Sequence, residues 1–298
     1  MQQSALDYLR HGQTPFFRLP ASPEATTDAE VAVIGIPHDG GTTYQPGARL
    51  GPYHVRRVSA LVQSYHPEHD LDVFEAIRCA DGGNVVFPPF DRAMMRAAVE
   101  AHVRALPAIP IVIGGDHSVS LPVMRALAAK HGPLAVVHVD AHLDTSGPEV
   151  WGDEFHHGTP IRHAVDEQLV ADGMLFQIGI RGPGAKRGPI TADAVVERGP
   201  KRVAAEIRER IGDRPTYVTI DIDAIDPAFA PGTGTPVPGG LTSREAIAFV
   251  RALAGLRVIG GDVVEYCPPL DHADITAHLC AHLAWELIAL SACFHRRR

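Results

Sequence analysis

Three apolar segments of this chain run directly into ionisable residues. Ile111-Val112-Ile113 leads into Gly114-Gly115-Asp116-His117-Ser118, and Leu134–Val139 leads into Asp140-Ala141-His142-Leu143-Asp144. Tyr217–Ile220 leads into Asp221-Ile222-Asp223-Ala224-Ile225-Asp226-Pro227. In extended backbone successive side chains alternate faces, so Asp140, His142 and Asp144 are expected to point the same way, as are Asp221 and Asp223. Carboxylates so gathered repel by about 1 kcal/mol per pair at ~4 Å in water and by several times that near a dry interior. Divalent cations remove the repulsion. With His117, two imidazoles and four carboxylates fit two ions that share bridging ligands. Oxygen-rich ligation with some imidazole suits Mn²⁺, with Zn²⁺, Co²⁺, Fe²⁺ and Ni²⁺ also open. A cation pair of this kind acidifies a bridging water and steadies developing charge, which is hydrolytic chemistry. A lone Asp-x-Asp after a strand is more often a turn or a helix cap. Three acidic segments, each at the end of an apolar strand, are hard to obtain from turn chemistry.

Such residues need a frame that brings strand ends together. Val31–Ile36, Ile109–Ile113, Leu134–Val139, Leu175–Ile180, Tyr217–Ile222 and Val258–Val264 are short, apolar and rich in β-branched residues, as buried strands are. Between them lie helical patterns: Arg92–Leu106 after an Asp91 N-cap, Ser118–Lys130, Val203–Ile211 and Ser243–Leu253. The last, Asp274–Leu290, repeats Ile275, Leu279, Leu283 and Leu287 at helical spacing. Alternating strands and helices predict a three-layer α/β/α fold with a mostly parallel central sheet, in which ligands bind beyond the carboxyl ends of the strands. No composition break divides residues 1–298, which read as one domain. The Pro-containing stretch 1–30 is expected to be a leader lying over the surface.

Composition narrows the function classes. Of 298 residues, 27 are Lys or Arg and 35 are Asp or Glu, a net charge of −8 that argues against nucleic acid and suits a small cationic ligand. No run approaches ~18 consecutive apolar residues, so no membrane span is expected. The first residues lack the basic and apolar regions of a signal peptide, which points to the cytoplasm. Cys79, Cys267, Cys280 and Cys293 form no C-x-x-C pair and are expected to be reduced and buried.

The motifs resemble those of the ureohydrolase (arginase/agmatinase) family. G-G-D-H-S at 114–118, D-A-H-L-D at 140–144, and Asp221 through D-A-I-D-P, P-G-T-G-T-P and G-G-L-T are similar to its three signatures, and the likeness runs from about Val31 to the last helix. Gly41–Pro52, His156–Pro160, Gln177–Gly182 and Glu265–Pro269 resemble the agmatinase, guanidinobutyrase and proclavaminate amidinohydrolase branch. The resemblance implies an arginase-like fold and a dimanganese site, with Ni²⁺, Co²⁺ or Zn²⁺ as other occupants. One ion would be held by His117, Asp140, Asp144 and Asp221, the other by Asp140, His142, Asp221 and Asp223, with Asp140 and Asp221 bridging. It implies His157 as proton shuttle and Glu265 as the receiver of a guanidinium, with urea and an amine as products. It also implies a homo-oligomer, a trimer or hexamer. Agmatine is the first substrate expected; a guanidino acid such as 4-guanidinobutyrate, or a proclavaminate-type compound, is the alternative. A deacetylase-like hydrolase and a non-catalytic metal-binding subunit of a hetero-oligomer are the readings of other classes.

Further residues carry lesser expectations. Thr235 and Arg49 are candidate substrate contacts, Arg49 reading equally as a loop-pinning ion pair. His138 is expected to be a hydrogen-bonded core histidine, and His156 the solvated neighbour of His157. Asp116 and Asp226 are expected to orient ligands or shape turns. His272, His278 and His282 read as surface or packing residues, and His295–Arg298 as a solvated tail. The loop 183–189 is shorter than in the branch and carries Lys186 and Arg187, which would favour an anionic substrate tail if they face the pocket.

Overall fold

The computed structural model describes residues 14–182 and 188–296. Lys186 and Arg187 lie outside them. The strands are β1 (Val31–Gly35), β2 (Tyr65–His66), β3 (Leu71–Asp72), β4 (Cys79–Asn84), β5 (Ile109–Ile113), β6 (Leu134–Val139), β7 (Val170–Ile180), β8 (Ile190–Thr191), β9 (Thr216–Asp221) and β10 (Val258–Val264). Eight of them form one sheet in the order β4-β1-β5-β10-β9-β6-β7-β8, and every pairing is parallel. β2 and β3 form a separate antiparallel pair.

One face of the sheet is covered by helices Gly51–Ser59, Ala192–Arg198, Pro200–Ile211, Ser243–Arg251 and Ile275–His295. The other carries Arg92–Ala105, Ser120–His131 and Pro160–Asp166. The predicted three layers are present, with two apolar cores separated by strands that are buried on both sides. The chain lays β5 at one place, jumps to β6, and fills the gap between them with β9 and β10. The crevice at this change of direction is where open parallel sheets bind ligands. The middle four strands are therefore the ones that end in the acidic motifs and Glu265.

The strongly apolar strands have the expected bounds at β5, β6 and β10. β4 was not expected, because Ala, Asp, Gly and Asn are poor strand formers; edge pairing with β1 draws it into the sheet. Two expectations are corrected. Within the leader, the described residues 14–30 do not simply lie over the surface, because Phe16 and Phe17 are fully buried. Their N–H groups donate to Asp81 Oδ2 and Ser59 Oγ, and burying two adjacent aromatic rings favours that inward turn. The last helix does not show one apolar stripe to the core. Nearly all of Thr276–Ala292 is buried, while Ile275, the first residue of the presumed stripe, is exposed. This helix is long and apolar enough to cross a membrane by composition, but 78% of its apolar window is buried within the protein.

Candidate metal centre and active site

The ligand candidates meet through turns rather than through strand alternation. Asp221 is the last residue of β9, and its side chain accepts the Asp223 N–H (2.8 Å), capping the 3₁₀ turn Ile222–Ala224. Asp140 follows β6 and accepts the His142 N–H at Oδ1 (2.6 Å). The turns, not strand alternation, thus bring the expected ligand candidates together, and the cap reading of Asp-x-Asp holds for Asp221. Register then brings the two rows together, because Val139 pairs with Ile220 and Val264 with Asp221. Asp144 has a left-handed backbone (φ 51°), as does Glu265 (φ 63°), a conformation rare outside glycine and common at functional sites. The Asp144 carbonyl accepts the N–H groups of Ile161 and Arg162 at the start of helix Pro160–Asp166, which fixes its position.

His117 enters from the loop after β5. A Cβ on Gly115 would lie 1.6 Å from the His38 carbonyl oxygen, so only glycine admits this approach. His117 Nε2 is 2.8 Å from Thr219 Oγ1, and its Nδ1 lies 2.9 Å from Asp144 Oδ2 and 3.2 Å from Asp140 Oδ2 and Asp221 Oδ2. No hydrogen-bond geometry links Nδ1 to any of the three. A buried ring nitrogen and three carboxylate oxygens that converge without bonding one another are the donor set a divalent cation completes. A second group, Asp140, His142 and Asp223, shares Asp140 with the first. His142 Nδ1 is 3.1 Å from Asp223 Oδ2.

The electrostatics agree. Burial, Asp223 and Asp140 push the Asp221 carboxyl well above its usual range, and burial and Asp140 raise Asp223. Burial also works against Asp140, but His138, His117 and His142 outweigh it and hold that carboxyl well below its usual value. Burial lowers His142, yet Asp140 and Asp223 push it up to about 12. His117 is likewise raised despite burial, chiefly by Asp144.

His138 is the hydrogen-bonded core histidine expected. The Gln177 amide nitrogen donates to Leu143 O and approaches His138 Nδ1 at 3.1 Å, leaving His138 Nε2 to donate to Asp140 Oδ2 (2.8 Å). It can join His117, Asp140 and Asp144 in a metal-holding group, but its contacts make it the residue that orients Asp140. Gln177 had no assigned role in the sequence. Thr219 could have been found there, since it shares a strand face with Asp221 two residues on.

Beside this cluster, His157 Nδ1 is 2.8 Å from Glu265 Oε1, which also accepts the His117 N–H (2.8 Å). Burial lowers the His157 imidazole, but Glu265 outweighs it and carries the ring up to about 9. Burial raises Glu265 in turn, and His157 pulls it back. Both line a cleft of about 370 Å³ with Thr43, His142, Asp144, Thr145, Ser146, Trp151, Asp221, Asp223 and Thr235. Thr235 Oγ1 donates to Asp223 Oδ2 (3.3 Å). Arg49 is not among the cleft-lining residues; its guanidinium is paired with Asp39, which makes it the loop-pinning residue. His156 is buried, not solvated, and its Nδ1 accepts the Gly158 N–H. Asp116 accepts the N–H groups of Gly41 and Ser118, and Asp226 those of Ala228, Gly239 and Gly240. Arg181, another residue without an assigned role, donates to the carbonyls of Gly179, Val237, Pro238, Asp223 and Ala224, tying β7 to the turn that holds Asp223.

Known proteins share this arrangement's sequence and fold. Proclavaminate amidinohydrolase of Streptomyces clavuligerus is 44% identical over 302 residues, covering 96% of both chains. Guanidinopropionase of Pseudomonas aeruginosa is 40% identical, covering 94% of this chain and 92% of its own. The solved structure of the Streptomyces clavuligerus enzyme superposes with a TM-score of 0.90 at 43% identity, over 96% of this chain and 99% of that one. Residues 29–289 match the arginase family, and with that match the chain belongs to it.

Proposed function

We propose that this protein is a binuclear-metal amidinohydrolase that cleaves a guanidino acid to urea and an amino acid. The observation that carries the reading is the convergence of three carboxylate oxygens on the unbonded His117 Nδ1, with the Asp140–His142–Asp223 group beside it and His157–Glu265 across the same cleft. His117, Asp140, Asp144 and Asp221 would hold one ion, and Asp140, His142, Asp221 and Asp223 the other. Oxygen-rich donors with one imidazole each favour Mn²⁺, and Ni²⁺, Co²⁺ and Zn²⁺ fit the same set. Bound cations would neutralise the acids and lower the pKa of a water in the cleft.

The chain's own residues supply the rest. Glu265 uses Oε1 for His157 and the His117 N–H, which leaves Oε2 for the N–H groups of a guanidinium in a charge-assisted contact. Water adds to the guanidinium carbon, and collapse breaks the bond to the substituted nitrogen. That nitrogen leaves as a neutral amine only if it is protonated, and His157 at the cleft wall holds a proton within reach. Thr235 steadies Asp223.

The tail of the substrate meets Thr145, Ser146 and Trp151. Every carboxylate among the described cleft-lining residues belongs to the ligand set or is Glu265, so none is free to pair with the ammonium of agmatine. Relatives named for guanidino acids support the same preference. Cytoplasmic action and assembly as a trimer or hexamer accompany the proposal; Phe90 and Val86 are almost fully exposed, as apolar residues awaiting a subunit would be.

Urea release from Mn²⁺-loaded protein, assayed with 3-guanidinopropionate, 4-guanidinobutyrate, proclavaminate and agmatine, tests it. A guanidino acid is expected to exceed agmatine in kcat/KM by about tenfold or more, the worth of one tail contact. A preference for agmatine restores the amine-tail reading, and no urea from any guanidine ends the proposal.

A further inference from the structure

We propose that Thr43 is the positioning residue of the proton step, its hydroxyl holding His157 Nε2 whether or not that nitrogen carries a proton. The inference rests on the hydrolytic reading above. Thr43 Oγ1 lies 2.7 Å from His157 Nε2, and the Thr43 N–H donates to the same nitrogen (3.3 Å) when it is unprotonated, so only the hydroxyl can serve both states. The other ring nitrogen faces the Glu265 carboxylate, which can only accept, so Nδ1 keeps its proton throughout. Proton gain and loss are thereby confined to Nε2.

A partner for such a nitrogen must serve two states. An imidazolium donates from Nε2, and a neutral imidazole accepts there. Carboxylates only accept and ammonium groups only donate, whereas a hydroxyl does both by turning about its Cβ–Oγ bond. Thr43 therefore keeps the ring in one plane while the proton moves. In the hydrolysis the water gives up a proton as the C–O bond forms, and the leaving nitrogen takes one as the C–N bond breaks. His157 Nε2 holds that proton in between, exchanging it through the Thr43 hydroxyl, which gives one proton as it takes another and so ends each turnover unchanged.

The loop that carries Thr43 is fastened on both sides. The Gly41 N–H donates to Asp116 Oδ2 (2.7 Å), and the Gly41 carbonyl accepts the His157 N–H (3.0 Å). Further along, Asp39 accepts the Gly47 N–H (2.8 Å) and pairs with Arg49. Asp116, one residue from His117, thus sets the loop as well. These anchors place the hydroxyl without using it, so changing the hydroxyl alone leaves the loop in position.

Thr43→Val keeps the shape and removes the hydroxyl; Thr43→Ser keeps the hydroxyl. In the metal-loaded enzyme, with the best guanidine of the panel, Thr43→Val is expected to lower kcat by about tenfold or more, part of what general acid–base catalysis supplies. KM should change by less than about twofold and bound metal per chain not at all, while Thr43→Ser stays within about threefold of the parent. A Thr43→Val enzyme with the parent's kcat overturns the proposal. So does a serine variant that falls as far as valine, which marks a packing role, or a loss that tracks missing metal. The ring ¹⁵N shifts of His157 in the full-length chain give a second readout: the hydrogen-bonded Nε2 signal should persist in Thr43→Ser and move in Thr43→Val. An unmoved signal refutes the contact. If the parent hydrolyses no guanidine, the hydrolytic reading fails, while the ring spectrum still decides the contact.

Discussion

The strand-end cluster and the contact between β2 and the last helix both bring histidine and carboxylate together inside the protein, yet they balance charge in opposite ways. At the strand ends four carboxylates face three imidazoles, His117, His138 and His142, and among the described residues no Arg or Lys pairs with any of the four. Near the hairpin, Glu286 is 1% exposed, takes His66 Nε2 on one oxygen (3.0 Å) and Arg251 on the other, and Arg251 also pairs with Glu68. The His69 N–H donates to His66 Nδ1 (3.2 Å), so Nε2 is the nitrogen that carries a proton toward Glu286. His66, His69 and Glu286 are close enough to hold a metal ion. An ion there would have to displace a proton already bonded and approach a guanidinium. Residue types alone make the two clusters look alike; charge balance separates a site that needs a cation from one that is already complete.

The largest effect expected from this contrast is catalytic. Asp221→Ala removes a carboxylate common to both proposed ion sites and should lower kcat by about a thousandfold or more, with less metal bound per chain. Glu286→Gln should leave kcat within about threefold, since it touches nothing in the cleft. A metal-replete, active Asp221→Ala enzyme would break the bridging assignment, and loss of metal in Glu286→Gln would erase the distinction.

Much of this was legible in the sequence, for identifiable reasons. β5 and β6 are apolar runs that end at glycine or an acid, and the ligand candidates follow both of them closely; β10, though interrupted by Gly260, Gly261 and Asp262, is β-branched at both ends and runs into Glu265. A parallel sheet requires strand ends to meet on one side, so the site could be assembled from the motifs before any geometry was known. Thr43, Gln177 and Arg181 were not legible. Each acts through a partner distant in the chain, and Thr43 meets His157 across 114 positions. Nor could the sequence show that Phe16 and Phe17 are buried, since local composition does not say what an irregular segment finds to pack against. Asp140 and Asp221 became ligand candidates by an alternation argument that the turns then replaced, because an aspartate that caps its own turn also aims its neighbours.

A smaller effect tests the balance directly through stability. Removing charge from the balanced cluster should destabilise, and removing it from the unbalanced one should do the reverse. In urea unfolding of the metal-free chain, Glu286→Gln is expected to cost about 2 kcal/mol, because Arg251 loses its buried partner. Asp221→Asn is expected to add about 1 kcal/mol, because one of four crowded carboxylates no longer repels the rest. Equal signs for the two variants would show that the strand-end acids are as well compensated as Glu286.

The two clusters should also part on acidification, and the signs can be worked out. Burial opposes Glu286, but His66 and Arg251 hold its folded-state pKa below the ordinary value. Its contribution is therefore present above the unfolded glutamate value of about 4.3 and is lost as pH falls below it, through the depressed folded pKa. Asp221 is the opposite case, its folded-state pKa raised by burial and by Asp223 and Asp140. Its penalty is complete above that raised pKa and is relieved as pH falls toward the unfolded aspartate value of about 3.9. In the metal-free chain the parent's disadvantage against Asp221→Asn should thus shrink first, on the high side of the ordinary carboxylate range. Its advantage over Glu286→Gln should shrink later, on the low side. If the Glu286→Gln difference closed first as pH was lowered, the carboxylate of the hairpin contact would be the poorly compensated one, and the strand-end acids would need no cation to coexist.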